Sequence, residues 1–246
     1  MDQRTKRTLW IVAGAVVLVA LVRSHHITTD SIILFCVVVP SIILHEVAHG
    51  WVANAFGDDT AKRAHRLTLN PVVHVDPVGT LIVPALLSLS GLGLFGWAKP
   101  VPVNTGRLRS PRNQGVLVSL AGPATNALLA VASAALFITV FRTSFNSAVD
   151  SFGTPSLLAR VIVYLSLANI GLMAFNLIPI PPLDGSVLFE RLLPSRYWPT
   201  YLRIRPYTMF IIMGVVLLNF YLSPNGPLTW ALNHLYSWWQ NVLGAQ

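Results

Sequence analysis

The chain has 246 residues, 54% of them hydrophobic and only 11% charged, against roughly 25% charged in ordinary soluble domains. This excludes a water-soluble globular protein and indicates a polytopic membrane protein, one domain over residues 1–246 with little chain left for a separate soluble one. The net charge of +8 does not indicate nucleic acid, because the basic residues are spread over short loops between apolar stretches; anionic lipid headgroups are their expected partners.

A helical span needs about 20 apolar residues. The first candidate, 8–22, follows Arg4, Lys6 and Arg7. It ends in Val22-Arg23-Ser24-His25, a poor cleavage site, so it is expected to remain as an uncleaved span. Further candidates are 32–56, 114–141, 157–178 and 207–221. Residues 228–243 carry Asn233, His234, Gln240 and Asn241 beside Trp230, Trp238 and Trp239. They either span or lie in the interface with their rings at headgroup depth. The short segment 80–95 contains Pro84, Ser88, Ser90, Gly91 and Gly93. It reads as a re-entrant or broken element, tolerated only where protein covers its backbone. The expected fold is therefore all-α, with about six transmembrane helices and one re-entrant or extended element. Cys36 is the only cysteine, which excludes an internal disulfide and a thiolate metal cluster.

Charge sets the expected topology. With the N-terminus cytosolic and 80–95 returning to its own side, only Arg23, Arg142 and Arg160 of the 17 basic residues fall outside. If 80–95 crossed fully, Lys99, Arg107, Arg109, Arg112, Arg191, Arg196, Arg203 and Arg205 would all move outside, against the positive-inside rule. It would also put Asp184 at the opposite membrane face from the one towards which His49 leads.

Within the apolar stretch 32–56 lies His45-Glu46-Val47-Ala48-His49. Residues four apart on a helix share a face, so both histidines can present a ring nitrogen to one Zn²⁺, with Glu46 beside them as general base. A bare HExxH pattern also arises by chance. Inside an apolar span, however, an uncompensated His-Glu-His would be costly, which favours function. Catalytic zinc usually has three protein ligands, and Asp184 is the best candidate for the third. It is the only acid in 157–187. Pro179, Pro181 and Pro182 break the helix before it, and Gly185 permits a turn.

Together, His45-Glu46-x-x-His49 and Asn176-x-x-Pro179-x-Pro181-x-Leu183-Asp184-Gly185 resemble the site-2 protease family of intramembrane zinc metalloproteases. Three further stretches resemble its compact prokaryotic branch, which lacks a PDZ domain. They are Leu69-Asn70-Pro71-x-x-His74-x-Asp76-Pro77-x-Gly79, the run Gly96-Trp97-Ala98-Lys99-Pro100-Val101-Pro102-Val103-Asn104, and Ala121-Gly122-Pro123-x-x-Asn126. The resemblance implies one zinc per chain on His45, His49 and Asp184, with Glu46 catalytic. It implies a zinc site within the membrane and cleavage of a transmembrane protein substrate, in or near its spanning segment and near the surface of the lipid bilayer, by a core of about 30–190 with accessory helices 8–22 and 207–243.

Asn126 and Asn176 are candidates for holding substrate backbone, with interhelical hydrogen bonding as the alternative. His74 and Asp76 read as loop anchors. The segment 96–104, with prolines alternating with valines, reads as an edge along which an unwound substrate adds as a strand. The rival reading is a metal transporter, which usually shows pseudosymmetric repeats that this chain lacks. A catalytically inactive scaffold is the third.

Overall fold

A computed structural model describes residues 28–83, 98–141, 155–222 and 226–243. The expected span 8–22 and most of 80–95 lie outside these residues. The helices are α1 (Thr29–Ala55), α2 (Thr60–Arg63), α3 (Pro111–Phe141), α4 (Leu157–Asn176), α5 (Ser186–Leu192), α6 (Trp198–Ile204), α7 (Thr208–Leu222) and α8 (Pro227–Leu243). Short 3₁₀ turns and one π-helical turn, Pro77–Ile82, connect them. Among the described residues there is no strand, and residues 98–104 run without regular structure.

Helices α1, α3 and α4 are long and apolar enough to cross a membrane. Their ends are marked by local chemistry. Thr28 Oγ1 accepts from Ser31 N at the start of α1. Ser156 Oγ does the same for Ala159 N at α4, satisfying donors that a helix start leaves open. Helices α7 and α8 have 15 and 17 residues, short of the roughly 20 that a perpendicular span needs. The described residues thus hold three helices of membrane-crossing length, against about six spans expected from hydropathy.

These three helices form the core, and polar contacts fix their directions. Arg160 pairs with Asp30 where α4 and α1 begin, and Asp184, just past α4, meets His45 and His49 of α1. Helices α1 and α4 are therefore parallel. Helix α3 runs against both: His45 meets Asn126 while His49 meets Val118, and Phe141 packs on Ala159 and Ile162. The chain leaves α1 and enters α3 at one end of the bundle, where Arg109 N donates to Phe56 O at 3.1 Å and Ala53, Leu108 and Val118 cluster. The segment joining α1 to α3 thus begins and ends on one side.

Helix α8 lays one aromatic face on α3 and α4. Trp239 packs with Ala130, Ala134 and Ile170, and its indole N–H donates to Ser166 Oγ at 2.6 Å. Trp230 and Trp238 stay exposed. Such a half-packed, half-open aromatic helix suits a lipid-facing surface.

Candidate metal centre

Three ligand atoms from two distant segments converge. His45 Nε2 lies 3.1 Å from His49 Nε2 and 3.1 Å from Asp184 Oδ2, and His49 Nε2 lies 3.4 Å from the same oxygen. Tetrahedral zinc with bonds of about 2.0–2.1 Å spaces its ligands about 3.3 Å apart, so the triangle has the right size. Both histidines are buried and Asp184 is largely so.

The outer sides of the rings explain why these atoms face one another. His49 Nδ1 lies 2.7 Å from the Val118 carbonyl, which can only accept. Its hydrogen is therefore on Nδ1, leaving an Nε2 lone pair. His45 Nδ1 sits 2.5 Å from Asn126 Oδ1 in the same way. Two lone pairs and a carboxylate oxygen then point at one another, and Asp184 Oδ2 is buried without a hydrogen-bond partner among the described residues. Acceptors packed like this repel unless a proton on one Nε2 or a metal ion between the three atoms relieves them. The donor set of two imidazoles and a carboxylate is one that zinc takes.

Space for an ion comes from Gly122 on α3. A Cβ there would stand 2.5 Å from His45 Nε2 and in contact with His49 Nε2. The Ala121-Gly122-Pro123 run is its only sequence signal.

Asp184 is presented by a tight return of the chain. Gly185 N donates to Asn176 O at 2.7 Å, and Ser119 Oγ of α3 donates to Asp184 O at 3.0 Å. Gly185 has φ −60°, open to any residue. What requires glycine is room, since a Cβ would collide with the Leu177 carbonyl and come within 2.8 Å of Ile178 O. Sequence reasoning expects a conformational role for this glycine; the structure shows a steric one. Asn176 turns its side chain back to Leu172 O at 3.0 Å, and its carbonyl holds Gly185. Asn126 is fully buried, with its oxygen on His45 and its Nδ2 on Asn169.

Glu46 stands beside the triangle, outside the set of ligand atoms. Its Oε2 accepts from Val101 N at 2.8 Å. Val101 reaches it because α1 carries Gly50, where a Cβ would meet Val101 Cγ1 at 2.8 Å and Leu67 Cδ2 at 2.6 Å. The segment 98–104 is tied down at both ends. Lys99 N donates to His74 O at 2.9 Å, and Arg66 Nη2 donates to Lys99 O at 2.8 Å. Further on, Asn104 N donates to Asp58 Oδ2 at 2.6 Å. His74 is itself anchored to Thr68 O, and Asp76 caps Val78 N and Gly79 N, the loop roles expected of both.

Asp58 makes this clamp sensitive to pH. Burial would raise its pKa, but hydrogen bonds from Thr60 and Asn104, with Arg107 nearby, outweigh burial and hold it below the ordinary 3.8. The stabilisation is fully present above pH 3.8 and is lost as pH falls through the lower folded-state value. Asp58→Ala removes the acceptor of the Thr60 and Asn104 amides, both part-buried, at about 0.5–1.5 kcal/mol for each hydrogen bond lost. It is expected to lower the Tm in detergent at neutral pH, and an unchanged Tm would show that the clamp contributes nothing.

The profile of Peptidase family M50 matches residues 33–219. A Bacillus subtilis protein named "Putative zinc metalloprotease YwhC" is 41% identical over 167 residues, covering 65% of this chain and 69% of that one. Proteins named "Putative zinc metalloprotease Rip2" are similar too. That of Mycolicibacterium smegmatis is 32% identical over 64% of this chain and 60% of its own length. That of Mycobacterium tuberculosis H37Rv is 34% identical over 75% and 64%. No solved structure matches the chain.

Proposed function

The chain belongs to peptidase family M50, the site-2 protease family of zinc metallopeptidases, and from that premise we propose that it cuts peptide bonds in or near the transmembrane segments of membrane proteins, as in regulated intramembrane proteolysis. The observation that carries this reading is the convergence of His45, His49 and Asp184 on one point beside Glu46. His49 lies about 9 Å, and His45 about 15 Å, of helix rise from the end of α1 at Ala55. In a helix of membrane-crossing length, that supports a site within the hydrocarbon depth.

His45, His49 and Asp184 would hold one zinc ion per chain, which would supply the Lewis acidity that makes water nucleophilic near neutral pH. Glu46 would be the base that takes the proton from the attacking water and later passes it to the leaving amine. The Val101 N–H fixes one oxygen of Glu46, leaving the other to face the proton. The Val118 carbonyl and Asn126 hold the two rings with their Nε2 atoms inward. A helical substrate has shielded peptide bonds, so it must unwind before Glu46 can serve one of them. Of the two asparagines read as substrate contacts, Asn176, the less buried, is the candidate near that chain, because both ends of the fully buried Asn126 amide are taken by His45 and Asn169.

The test uses purified protein in liposomes with a transmembrane peptide. About one zinc per chain is expected, with cleavage in or near the spanning segment, lost on chelation and restored by added Zn²⁺. A folded protein without zinc, or cleavage indifferent to its removal, would refute the reading. The basic loops support a multi-pass protein of the cell membrane with the N-terminus and the active site towards the cytosol. Arg109→Cys in a Cys36→Ser background should react with an impermeant thiol reagent from the cytosolic side; reaction only from outside would invert that topology.

A further inference from the structure

Behind the metal centre lie two asparagines, and only one of them touches a proposed ligand. Asn126 Nδ2 donates to Asn169 Oδ1 at 2.7 Å. Asn169 Nδ2 donates to Ser41 Oγ at 2.9 Å and to the Leu165 carbonyl at 2.8 Å. Ser41 Oγ donates in turn to the Val37 carbonyl at 2.7 Å. All three side chains are buried, with exposures of 0–1%.

The two ends of an amide have nearly the same shape, so its direction is set by its partners. Here backbone carbonyls set it. The Leu165 carbonyl can only accept, so Asn169 must turn its NH₂ towards it. The Val37 carbonyl consumes the Ser41 hydrogen, so Ser41 must accept from the same NH₂. Both leave Asn169 Oδ1 facing α3. Asn126 must then give its NH₂ to Asn169 and its oxygen to His45. That oxygen requires a hydrogen on His45 Nδ1, which leaves the Nε2 lone pair aimed at His49 and Asp184. The direction runs from two carbonyls, through three side chains on three helices, to one ring.

We infer that Asn169 is a positioning residue of the metal centre: acting through Asn126, it imposes the tautomer in which His45 can ligate a metal. The inference rests on the reading of His45 as a metal ligand. The bland alternative is that Asn169 only ties α1, α3 and α4 together, as polar residues in apolar helices commonly do.

Zn²⁺ affinity, measured by competition with a chelator, separates the two. Compared are the parent, Asn169→Leu, Asn126→Ala and the double variant. Asn169→Leu is expected to weaken zinc by about 10- to 100-fold, as loss of an outer partner does. The double variant is expected to bind no more weakly than Asn126→Ala alone, because the effect of Asn169 passes through Asn126. Losses that multiply, or parental affinity in Asn169→Leu, would overturn the inference. Ser41→Ala should cost less than Asn169→Leu, since Leu165 still sets the amide direction; a larger loss would also overturn it. A second measurement needs no substitution. In metal-free wild-type protein labelled with ¹⁵N-histidine, solid-state shifts should place the neutral His45 hydrogen on Nδ1. A hydrogen on Nε2 would overturn the inference whether or not the variants fold. A parent that binds no zinc defeats the proposed function itself, and this inference with it, before any variant is compared.

Discussion

Gly122→Ala is expected to abolish zinc binding although it changes no ligand. The new methyl would stand 2.5 Å from His45 Nε2 and in contact with His49 Nε2, where an ion shared by both rings has to sit. Relief would require the rings or α3 to move. The rings are pinned from behind by Asn126 and the Val118 carbonyl, and Val118 belongs to the same helix as Gly122. Shifting α3 would therefore drag the ring anchors along with the obstacle. The expected loss exceeds the roughly 100-fold that removal of an outer partner brings, and proteolysis falls with it. Gly115→Ala is the matched control. It lies on the same helix, and a Cβ there meets nothing within 4 Å. It should keep about one zinc per chain and gain up to about 1 kcal/mol of helix stability. Metal analysis of the two purified variants decides the matter: Gly122→Ala holding zinc like its control would mean that the ion, if bound, lies elsewhere.

How far the site is legible in the sequence depends on the range of the contact involved. The shared face of His45 and His49 needs only the helical repeat, and the cost of placing them in an apolar stretch marks them further. Asp184 is singled out by three prolines and a glycine. Its approach to His49, however, needs α1 and α4 to be parallel, which only the charge-based topology foreshadows. Local pattern fails where one atom serves an unforeseen partner. Residues 96–104 read as an edge for substrate, and nothing in that pattern tells that the Val101 N–H serves Glu46. Asn126 makes the interhelical bonds that are one of its two expected roles, but that one of them holds a ring of the site is not legible in the pattern. Gly122 and Gly185 look alike in sequence, but one leaves room for an ion and the other for a carbonyl. For 228–243, composition leaves spanning and surface-lying equally open. What places Trp239 is Ser166 on α4, a hydroxyl waiting for an indole N–H, and no pattern within α8 refers to it.

Glu46→Gln is expected to keep zinc and lose proteolysis by at least the 10²- to 10⁴-fold typical of general acid–base catalysis. The substituted amide can still accept the Val101 N–H through its oxygen, so the side chain stays in place and only its basicity is removed. The metal ligands are untouched, so zinc content should match the parent. Gly50→Ala approaches the same function from the other side. Its methyl would press on Val101 Cγ1 at 2.8 Å and Leu67 Cδ2 at 2.6 Å, lifting the segment that holds Glu46 while leaving the carboxylate chemically intact. A displacement of about 1 Å can cost about 10²-fold, so Gly50→Ala should retain zinc and show an intermediate rate. Because the amide variant has no base left to misplace, adding Gly50→Ala to Glu46→Gln should cost much less than Gly50→Ala alone. Initial rates on the same transmembrane peptide, set beside zinc content, measure all three. If Glu46→Gln cleaved at the parental rate, Glu46 would not be the base, and its bond to Val101 would belong to the fold rather than to the reaction.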